Sequence, residues 1–131
     1  MSSSVALAGA PTTRSAPLSV LMGSAIATKR EGDISAPARD KLKVCLLDFL
    51  ACAFEAHSLP WAQQAQRLAT AGAGPCSIIG TSVKAPAVDA VFANSVAGHG
   101  LVREDMHTGS VSHLGIVVLP PLLALDRKSV V

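Results

Sequence analysis

The chain has 131 residues, enough for one domain of ordinary size, and it carries a formal net charge of +2. Half of the residues are hydrophobic but only 3% are aromatic, and the basic residues are dispersed, which argues against a nucleic-acid partner. No apolar run reaches the roughly 18 residues of a membrane span, so we expect no membrane partner.

The first 17 residues are rich in Ser, Ala, Thr and Pro and contain no acidic residue. This composition predicts a disordered leader over residues 1–17. A transit peptide is the alternative, although Arg14 is the only basic residue of the segment. The apolar residues 18–29 then predict a first helix, which Gly32 and Asp33 interrupt.

The clearest helical pattern covers residues 36–56. Pro37 suits the first turn of a helix, and Ser35 suits the capping position before it. Six apolar residues recur at the spacing of one helical face, namely Leu42, Cys45, Leu46, Phe49, Leu50 and Ala53. Three more widen the apolar arc, so we expect this helix to be buried on most sides; they are Leu47, Ala51 and Phe54.

Proline residues open the next two predicted helices, at Pro60 for residues 61–71 and at Pro86 for a helix reaching about residue 99. Between them, residues 76–80 form a brief apolar run that predicts either a short strand or a tucked loop. The helix from Pro86 carries one face made of Val88, Val91, Phe92, Ser95, Val96 and His99.

The last helical pattern covers residues 116–125 and contains Pro120 and Pro121, which predict a kink or a late start. Residues 126–131 continue neither the pattern nor a recognisable cap, and we interpret them as a non-native tail after a truncation. Residues 18–125 are therefore predicted to form a partial helical domain, and the fold class is all-α.

The segment 98–115, between the last two helices, concentrates titratable side chains. It contains three of the four histidines, together with one arginine and two acidic residues. Its flanks are apolar and nearly uncharged, and burying such groups without a function is costly, so this density indicates a site. The residues are His99, Arg103, Glu104, Asp105, His107 and His113.

The histidine spacing does not favour a metal site. Seven residues separate His99 from His107 and five separate His107 from His113. Metal sites on helices usually show His-x3-His or His-Glu-x-x-His, and neither pattern is present. We therefore predict no metal ligand, and a metal-binding module remains the third and weakest alternative, which metal analysis of the purified chain would test.

Acid–base chemistry suits the segment better, because histidine titrates near neutral pH and a carboxylate can orient it. We predict that His113, Asp105 and His107 are catalytic, in a proton abstraction next to a carboxylate or carbonyl. The small residues between the last two histidines form a loop that can wrap a ligand. The predicted substrate-binding residues are Arg103, which would bind a substrate carboxylate, and His99 and Ser112.

Structural interpretations of the same residues remain open. His99 lies on an apolar helix face, where a hydrogen-bonded core histidine is common. Arg103 with Glu104 or Asp105 is also compatible with a plain surface ion pair. His107 is also compatible with a solvated side chain.

Several motifs, in order and at the right spacing, resemble the MmgE/PrpD family over about residues 18–125. Residues 44–50 (Val-Cys-Leu-Leu-Asp-Phe-Leu) look like its opening helix, and residues 76–80 resemble its short apolar segment ending in Gly. Ala93-Asn94 and His99-Gly100-Leu101 are similar to the A-N-G…H-x-L-D stretch of the family. Residues 104–107 and 113–115 fall where the family has D-D-x-H and H-P-G.

This chain departs from the family pattern at three positions. Val102 stands where the family has an acid, Met106 where it has Thr, and Leu114 where it has Pro. A lost carboxylate and a lost hydroxyl change what a pocket can hydrogen-bond, so the substrate need not be that of a known member. We expect Arg103 to compensate by binding a carboxylate.

The resemblance implies a cofactor-independent enzyme on a small di- or tricarboxylic acid, with a truncated helical domain in this chain and a homodimer in the full-length parent. It implies that Asp105, His107 and His113 line the substrate cleft. The expected reaction is dehydration, decarboxylation or epimerisation, with this fragment inactive alone. The alternative is a non-enzymatic helical interaction fragment.

The three cysteines favour a reducing compartment. No C-x-x-C pair exists among Cys45, Cys52 and Cys76, and all three have apolar neighbours, which predicts small core residues. A cytoplasmic location fits this use of cysteine.

Overall fold

The computed structural model describes residues 16–69, 72 and 74–129, with the backbone alone for residues 127–129. Most of the predicted leader and the last two residues of the predicted tail lie outside this part of the chain. The described elements are α1 (Leu18–Thr28), a 3-10 turn (Glu31–Asp33), α2 (Ala36–Ala56), α3 (Pro60–Leu68), β1 (Cys76–Ser77), β2 (Lys84–Ala85), α4 (Ala87–Gly98) and α5 (Gly115–Ser129).

The predicted all-α class is confirmed, since the strands form only a two-residue antiparallel hairpin that pairs Cys76 with Ala85. The predicted helix over residues 36–56 matches α2 in both bounds, whereas α3 ends at Leu68, earlier than predicted. Among the described residues, no helix combines the length and apolar character needed to cross a membrane.

The chain divides into two compact units, one ending at Ser35 and one beginning at Ala36. In the first unit, α1 has no buried residue. Its last turn is closed by the hydroxyl of Thr28, which donates to the carbonyl of Ser24 at 2.9 Å. The Asp33 carboxylate accepts the backbone N–H of Arg30 at 2.9 Å and so closes the 3-10 turn.

Helix α4 is the centre of the second unit, where it packs against α2, α3, α5 and both strands. Its buried residues are Asn94 and four small residues, Ala90, Ala93, Ala97 and Gly98. A Cβ at Gly98 would lie 2.8 Å from Cδ2 of Phe49, so glycine is required where α4 meets α2. Small side chains therefore let the helix axes come close.

This burial corrects the predicted face of α4. On the predicted apolar face, Val91 and Val96 pack against the core, whereas Val88 is 78% exposed and Phe92 is 49% exposed. The alanine face is buried instead, because close helix packing selects small residues over large ones at the contact.

The expectation that α2 is buried on most sides is also wrong for this chain. Only Phe49, Cys52, Ala53 and Ala56 are buried in that helix. The second apolar stripe faces outward, with Leu47 at 69% and Phe54 at 56% exposure. The described part of the chain supplies no element to cover that stripe.

Helix α5 runs through both of its prolines, and the structure shows how the missing N–H is compensated. Pro120 lacks the N–H that would bond to the carbonyl of Ile116, four residues earlier. The hydroxyl of Ser95, from α4, donates to that carbonyl at 3.0 Å. A side chain of α4 thus takes the place of the lost helical hydrogen bond.

The hairpin is held against α4 by Asn94, which is buried. Its Oδ1 accepts the N–H of Ile79 at 2.8 Å, and its Nδ2 donates to the carbonyl of Ser77 at 3.0 Å. Both polar ends of the amide are therefore satisfied inside the core.

Candidate functional site

Two imidazoles and one carboxylate meet in the segment between α4 and α5; we call His99, Glu104 and His113 the imidazole–carboxylate cluster. Nδ1 of His99 contacts Oε1 of Glu104. Nδ1 of His113 lies 3.0 Å from the same oxygen. The two rings are in edge-to-face contact, with centroids 5.0 Å apart.

The Glu104 side chain is completely buried, whereas the side chains of His99 and His113 are 44% and 22% exposed. Among the described residues, neither Oε2 of Glu104 nor Nδ1 of His113 has a hydrogen-bond partner of good geometry. A buried carboxylate with an unused oxygen is costly, so this pair of atoms marks the cluster as a place of function.

The chain turn after α4 places Glu104 beside His99, the C-cap residue of that helix. A Cβ at Gly100 would lie 2.8 Å from Cβ of Ala56, so glycine lets the turn pass close to α2. Val102 then adopts a positive φ of 53°, which is a rare conformation for a β-branched residue. The strain at Val102 is further evidence of a constrained site.

Asp105, predicted to orient a histidine, contacts the start of α5 instead. Its Oδ1 accepts the backbone N–H of Gly115 at 3.0 Å. A carboxylate at a helix N-terminus satisfies a free N–H and interacts well with the helix dipole. Adjacent acids thus have different tasks, since Glu104 contacts the imidazoles and Asp105 contacts the helix.

Arg103 points away from its two acidic neighbours in sequence. Its guanidinium lies 3.2 Å from Oε1 of Glu55, on α2, and both side chains are well exposed. An exposed ion pair of this kind is worth little and is easily exchanged.

His107 lies in a tight exposed loop of its own. Its Nδ1 is 2.8 Å from Oγ of Ser110, and its backbone pairs with that of Ser112 in an isolated bridge. Ser112 Oγ donates to the carbonyl of Ser110 at 3.0 Å. These contacts hold the loop together and do not involve His99 or His113.

The structure therefore brings together His99 and His113 among the predicted residues, and adds Glu104, which lies in the predicted segment but has no catalytic or binding role in the sequence prediction. The sequence carried a signal for Glu104, because it occupies the first acid of the D-D-x-H pattern. The fold was needed to show which of the two adjacent acids turns inward.

Cys52 of α2 lies in the same electrostatic environment as Glu104. Burial raises the pKa of the Cys52 thiol, and the nearby charges of Asp48, Glu104 and Glu55 raise that pKa further. The raised pKa disfavours the thiolate form, so Cys52 is a poor candidate nucleophile.

Two cavities in the described part of the chain are lined by other residues. One of about 290 Å³ lies between α2, α4, α5 and β1 and includes Asn94 and Cys76. The other, about 470 Å³ and open to solvent, includes His57 and Phe54. The cluster lines neither of them.

The cluster can act chemically in two ways. A carboxylate beside an imidazole orients the ring and stabilises its protonated form, as a general acid–base pair requires. The three residues also each offer one ligand atom, and these atoms lie within 4.8 Å of one another, which suits a metal ion.

Comparison with known proteins gives one family match and a few distant relatives. Residues 21–129 match the MmgE/PrpD N-terminal domain. The cis-aconitate decarboxylase of Aspergillus terreus is 28% identical over 97 residues, which are 72% of this chain and 20% of that protein. The cis-aconitate decarboxylase-like protein oryM of Aspergillus oryzae is 30% identical over 111 residues, 78% of this chain and 23% of its own length.

The chain thus spans about a fifth of the length of the curated relatives it matches. No solved structure matches it.

Proposed function

The chain belongs to the MmgE/PrpD family, as its N-terminal domain, and from this premise we propose that it is part of a cofactor-independent lyase or isomerase acting on a small di- or tricarboxylic acid. The observation that carries the proposal is the buried Glu104 carboxylate shared by two imidazoles. The reaction class is proton abstraction next to a carboxylate, followed by elimination, decarboxylation or epimerisation.

In this proposal His113 is the acid–base residue. Its Nδ1 lies 3.0 Å from Oε1 of Glu104, so in this proposal a small ring rotation completes that hydrogen bond and leaves Nε2 to accept a proton from the substrate carbon. The carboxylate then stabilises the imidazolium that forms, so Glu104 and His99 position and support the base. His107 is proposed to assist the acid–base residue, and Ser112 to contact the substrate, both from the adjoining loop.

Arg103 is the proposed contact for a substrate carboxylate. Its present partner, Glu55, is exposed, so a substrate can displace it at little cost. The guanidinium then binds the carboxylate in a bidentate manner. Similarity to cis-aconitate decarboxylases makes cis-aconitate the first ligand to test.

The test is a titration of ligand into the 131-residue chain, in which NMR monitors the ring signals of its four histidines. cis-Aconitate is expected to shift the ring signals of His99 and His113 and to leave that of His57 unchanged. Arg103→Ala should weaken this binding, whereas Arg67→Ala, an exposed arginine on α3, is the matched control. Shifts confined to His57 or His107, or equal affinity of the Arg103→Ala chain, would contradict the proposal.

Turnover is proposed to need more than this chain. The chain spans about a fifth of its relatives, and the cluster remains partly open to solvent in the described residues. Water around a reacting carboxylate weakens the electrostatic stabilisation that catalysis uses. We expect binding without release of CO2 from cis-aconitate, and turnover by the isolated chain would overturn this point.

The proposal also includes a homodimer of the full-length parent and a cytoplasmic location. The three cysteines are free, as expected for a reducing compartment. Size measurement of the parent enzyme and fractionation of its source cells would test the two statements separately.

A second candidate is a non-enzymatic helical interaction fragment, favoured by the exposed apolar side chains of α1, α2 and α5. This function predicts a chain that binds a helical partner and shows no histidine shift with carboxylic acids. The same NMR titration therefore separates the two candidates.

A further inference from the structure

The imidazole–carboxylate cluster has the composition of a metal site, and we propose that His99, Glu104 and His113 bind one divalent transition-metal ion such as Zn²⁺. The histidine spacing argues against metal ligands only where all of the ligands lie on a single helix. The fold changes this conclusion, since His99 ends α4, Glu104 lies in the following turn, and His113 precedes α5.

The ligand set fits the ion chemically. Two imidazole nitrogens and one carboxylate oxygen, with a water as fourth ligand, are a common arrangement at open zinc sites. The three ligand atoms already lie within 4.8 Å of one another. Tetrahedral ligands at roughly 2.1 Å from zinc are about 3.4 Å apart, so small ring rotations close the set around an ion.

The unused atoms of the cluster give an independent reason to expect a cation. Oε2 of Glu104 and Nδ1 of His113 are buried and have no hydrogen-bond partner among the described residues. A bound cation supplies a partner to both atoms and compensates the buried negative charge.

The site is also accessible and held in place from outside. His99 is 44% exposed on its side chain, which leaves a route for the ion and room for a water ligand. The bond from Gly115 to the neighbouring Asp105 fixes the loop that carries Glu104. Ligands that are already positioned bind with a smaller entropic cost.

Metal binding and the proposed proton transfer compete for the same atoms. An ion bound to His113 and Glu104 occupies the lone pairs that hold and move the proton. Under the proposed function, on which this consequence alone rests, Zn²⁺ is therefore an inhibitor that excludes the carboxylic acid from its acid–base residue.

The test is a calorimetric titration of Zn²⁺ into the untagged 131-residue chain. One equivalent is expected to bind, and His113→Ala or Glu104→Gln should weaken binding by about 100-fold or more, beyond the effect of losing an outer-shell contact. His107→Ala is the matched control, because it removes a histidine of the same loop that is outside the cluster. Circular dichroism of each variant reports whether it remains folded.

A second variant protects the test if Glu104→Gln does not fold. His99→Asn changes a partly exposed side chain at a helix end, and it should lower the affinity while the chain remains helical. The absorption spectrum of bound Co²⁺ should show tetrahedral coordination in the original chain and lose that signature in His99→Asn.

Two results would overturn the metal site: no binding at equimolar Zn²⁺ by a folded chain, or binding that His107→Ala abolishes and His113→Ala leaves intact. The carboxylate titration by NMR is made with a chelator present, so its failure bears on the proposed function alone. A chain that binds Zn²⁺ but not cis-aconitate would retain the metal site and lose the enzyme proposal.

Discussion

The adjacent acids Glu104 and Asp105 show how one position decides the role of a side chain. Glu104 faces two imidazoles, and Asp105 bonds to the first N–H of α5. The loop sequence places both carboxylates close to the site, but the backbone directs them to opposite tasks.

The task of Asp105 gives a stability prediction. Asp105→Ala removes the acceptor for the Gly115 N–H and should lower the free energy of unfolding by about 1 kcal/mol. Asp105→Asn retains an acceptor and loses only the charge near the helix N-terminus, so it should cost about 0.5 kcal/mol. Urea unfolding of the chain measures both values.

The control for this comparison is Asp40→Ala, which breaks an exposed pair with Lys43. It should change the free energy of unfolding by less than about 0.5 kcal/mol. If Asp105→Ala is as mild as this control, Asp105 does not stabilise the start of α5.

Cys52 links the pKa of a thiol to the stability of the chain. Burial is the main cause that raises the Cys52 pKa, and the charges of Asp48 and Glu104 add to it. The unfolded chain therefore loses this proton first as the pH rises. The contribution of Cys52 to stability is complete below the ordinary thiol pKa of about 8.5 and is lost as the pH rises from there through the raised value.

The measurement is urea unfolding at about pH 7.5 and at about pH 10, on either side of the ordinary thiol value. Cys52→Ala should show a smaller decrease in stability between the two pH values than the original chain. An equal decrease in both chains would show that other groups cause the pH dependence.

The candidate site could be predicted in part from single residues. The density of titratable groups located the segment, and of the six site residues predicted there the structure brings His99 and His113 into one cluster. The sequence predicts Asp105 as the carboxylate beside the histidines, whereas the structure has Glu104 there, because the orientation of the two acids depends on the positive φ of Val102 and on the start of α5. The separation of His107 from the cluster could not be predicted from the sequence either, since the loop that holds it is formed by hydrogen bonds with small residues.

At the scale of whole elements, the contact of α4 with α5 explains why two prolines do not break the last helix. Ser95 donates to the Ile116 carbonyl that Pro120 leaves without its helical partner. The repair comes from a neighbouring helix, so the two helices stabilise each other at this point.

This compensation predicts a coupling between the two residues. Ser95→Ala should lower the free energy of unfolding by about 1–2 kcal/mol, because it leaves the Ile116 carbonyl without a donor. In the Pro120→Ala background the helical N–H is restored, and the cost of Ser95→Ala should become much smaller. A double-mutant cycle of urea unfolding measures the coupling energy.

Ser77→Ala in the Pro120→Ala background is the control, since it alters a different part of the α4 surroundings. Additive costs for Ser95 and Pro120 would mean that the hydroxyl does not replace the missing donor.

The starts of the helices were predicted well, but some ends and faces were not, since α3 ends at Leu68 before the predicted residue 71 and α5 continues to Ser129 past the predicted residue 125. Prolines and glycines mark where α2, α3 and α4 begin, and these signals act locally. The faces depend on what packs against them. Large apolar residues at Val88 and Phe92 suggested one side of α4, whereas the contact requires the small side chains of Ala90, Ala93 and Ala97.

At the scale of the molecule, the described part of the chain leaves much apolar surface uncovered. The outer stripe of α2 contains Leu47, Ala51 and Phe54, at the i, i+4 and i+7 spacing of one helix face. All three are exposed. Contiguous exposed apolar surface promotes association.

We therefore predict that the 131-residue chain self-associates with increasing concentration. Replacing Leu47 and Phe54 together by Gln should weaken the association by about tenfold or more, since each buried side chain contributes more than 1.4 kcal/mol. Sedimentation equilibrium measures the effect. Gln63→Ala with Gln64→Ala, on the polar side of α3, is the matched pair that should change nothing; an unchanged constant for the α2 double variant would exclude this stripe as the contact.

Glu104 and Asp105 point to different partners. The number of residues between α4 and these two acids therefore cannot change without exchanging their contacts. An inserted residue between positions 100 and 103 moves every later side chain one position along the turn, so that Glu104 would occupy the place now held by Asp105. A single substitution does not have this effect, because only the insertion disturbs both the imidazole pair and the start of α5. Insertions and deletions in this short turn should therefore be tolerated far less than changes of amino acid.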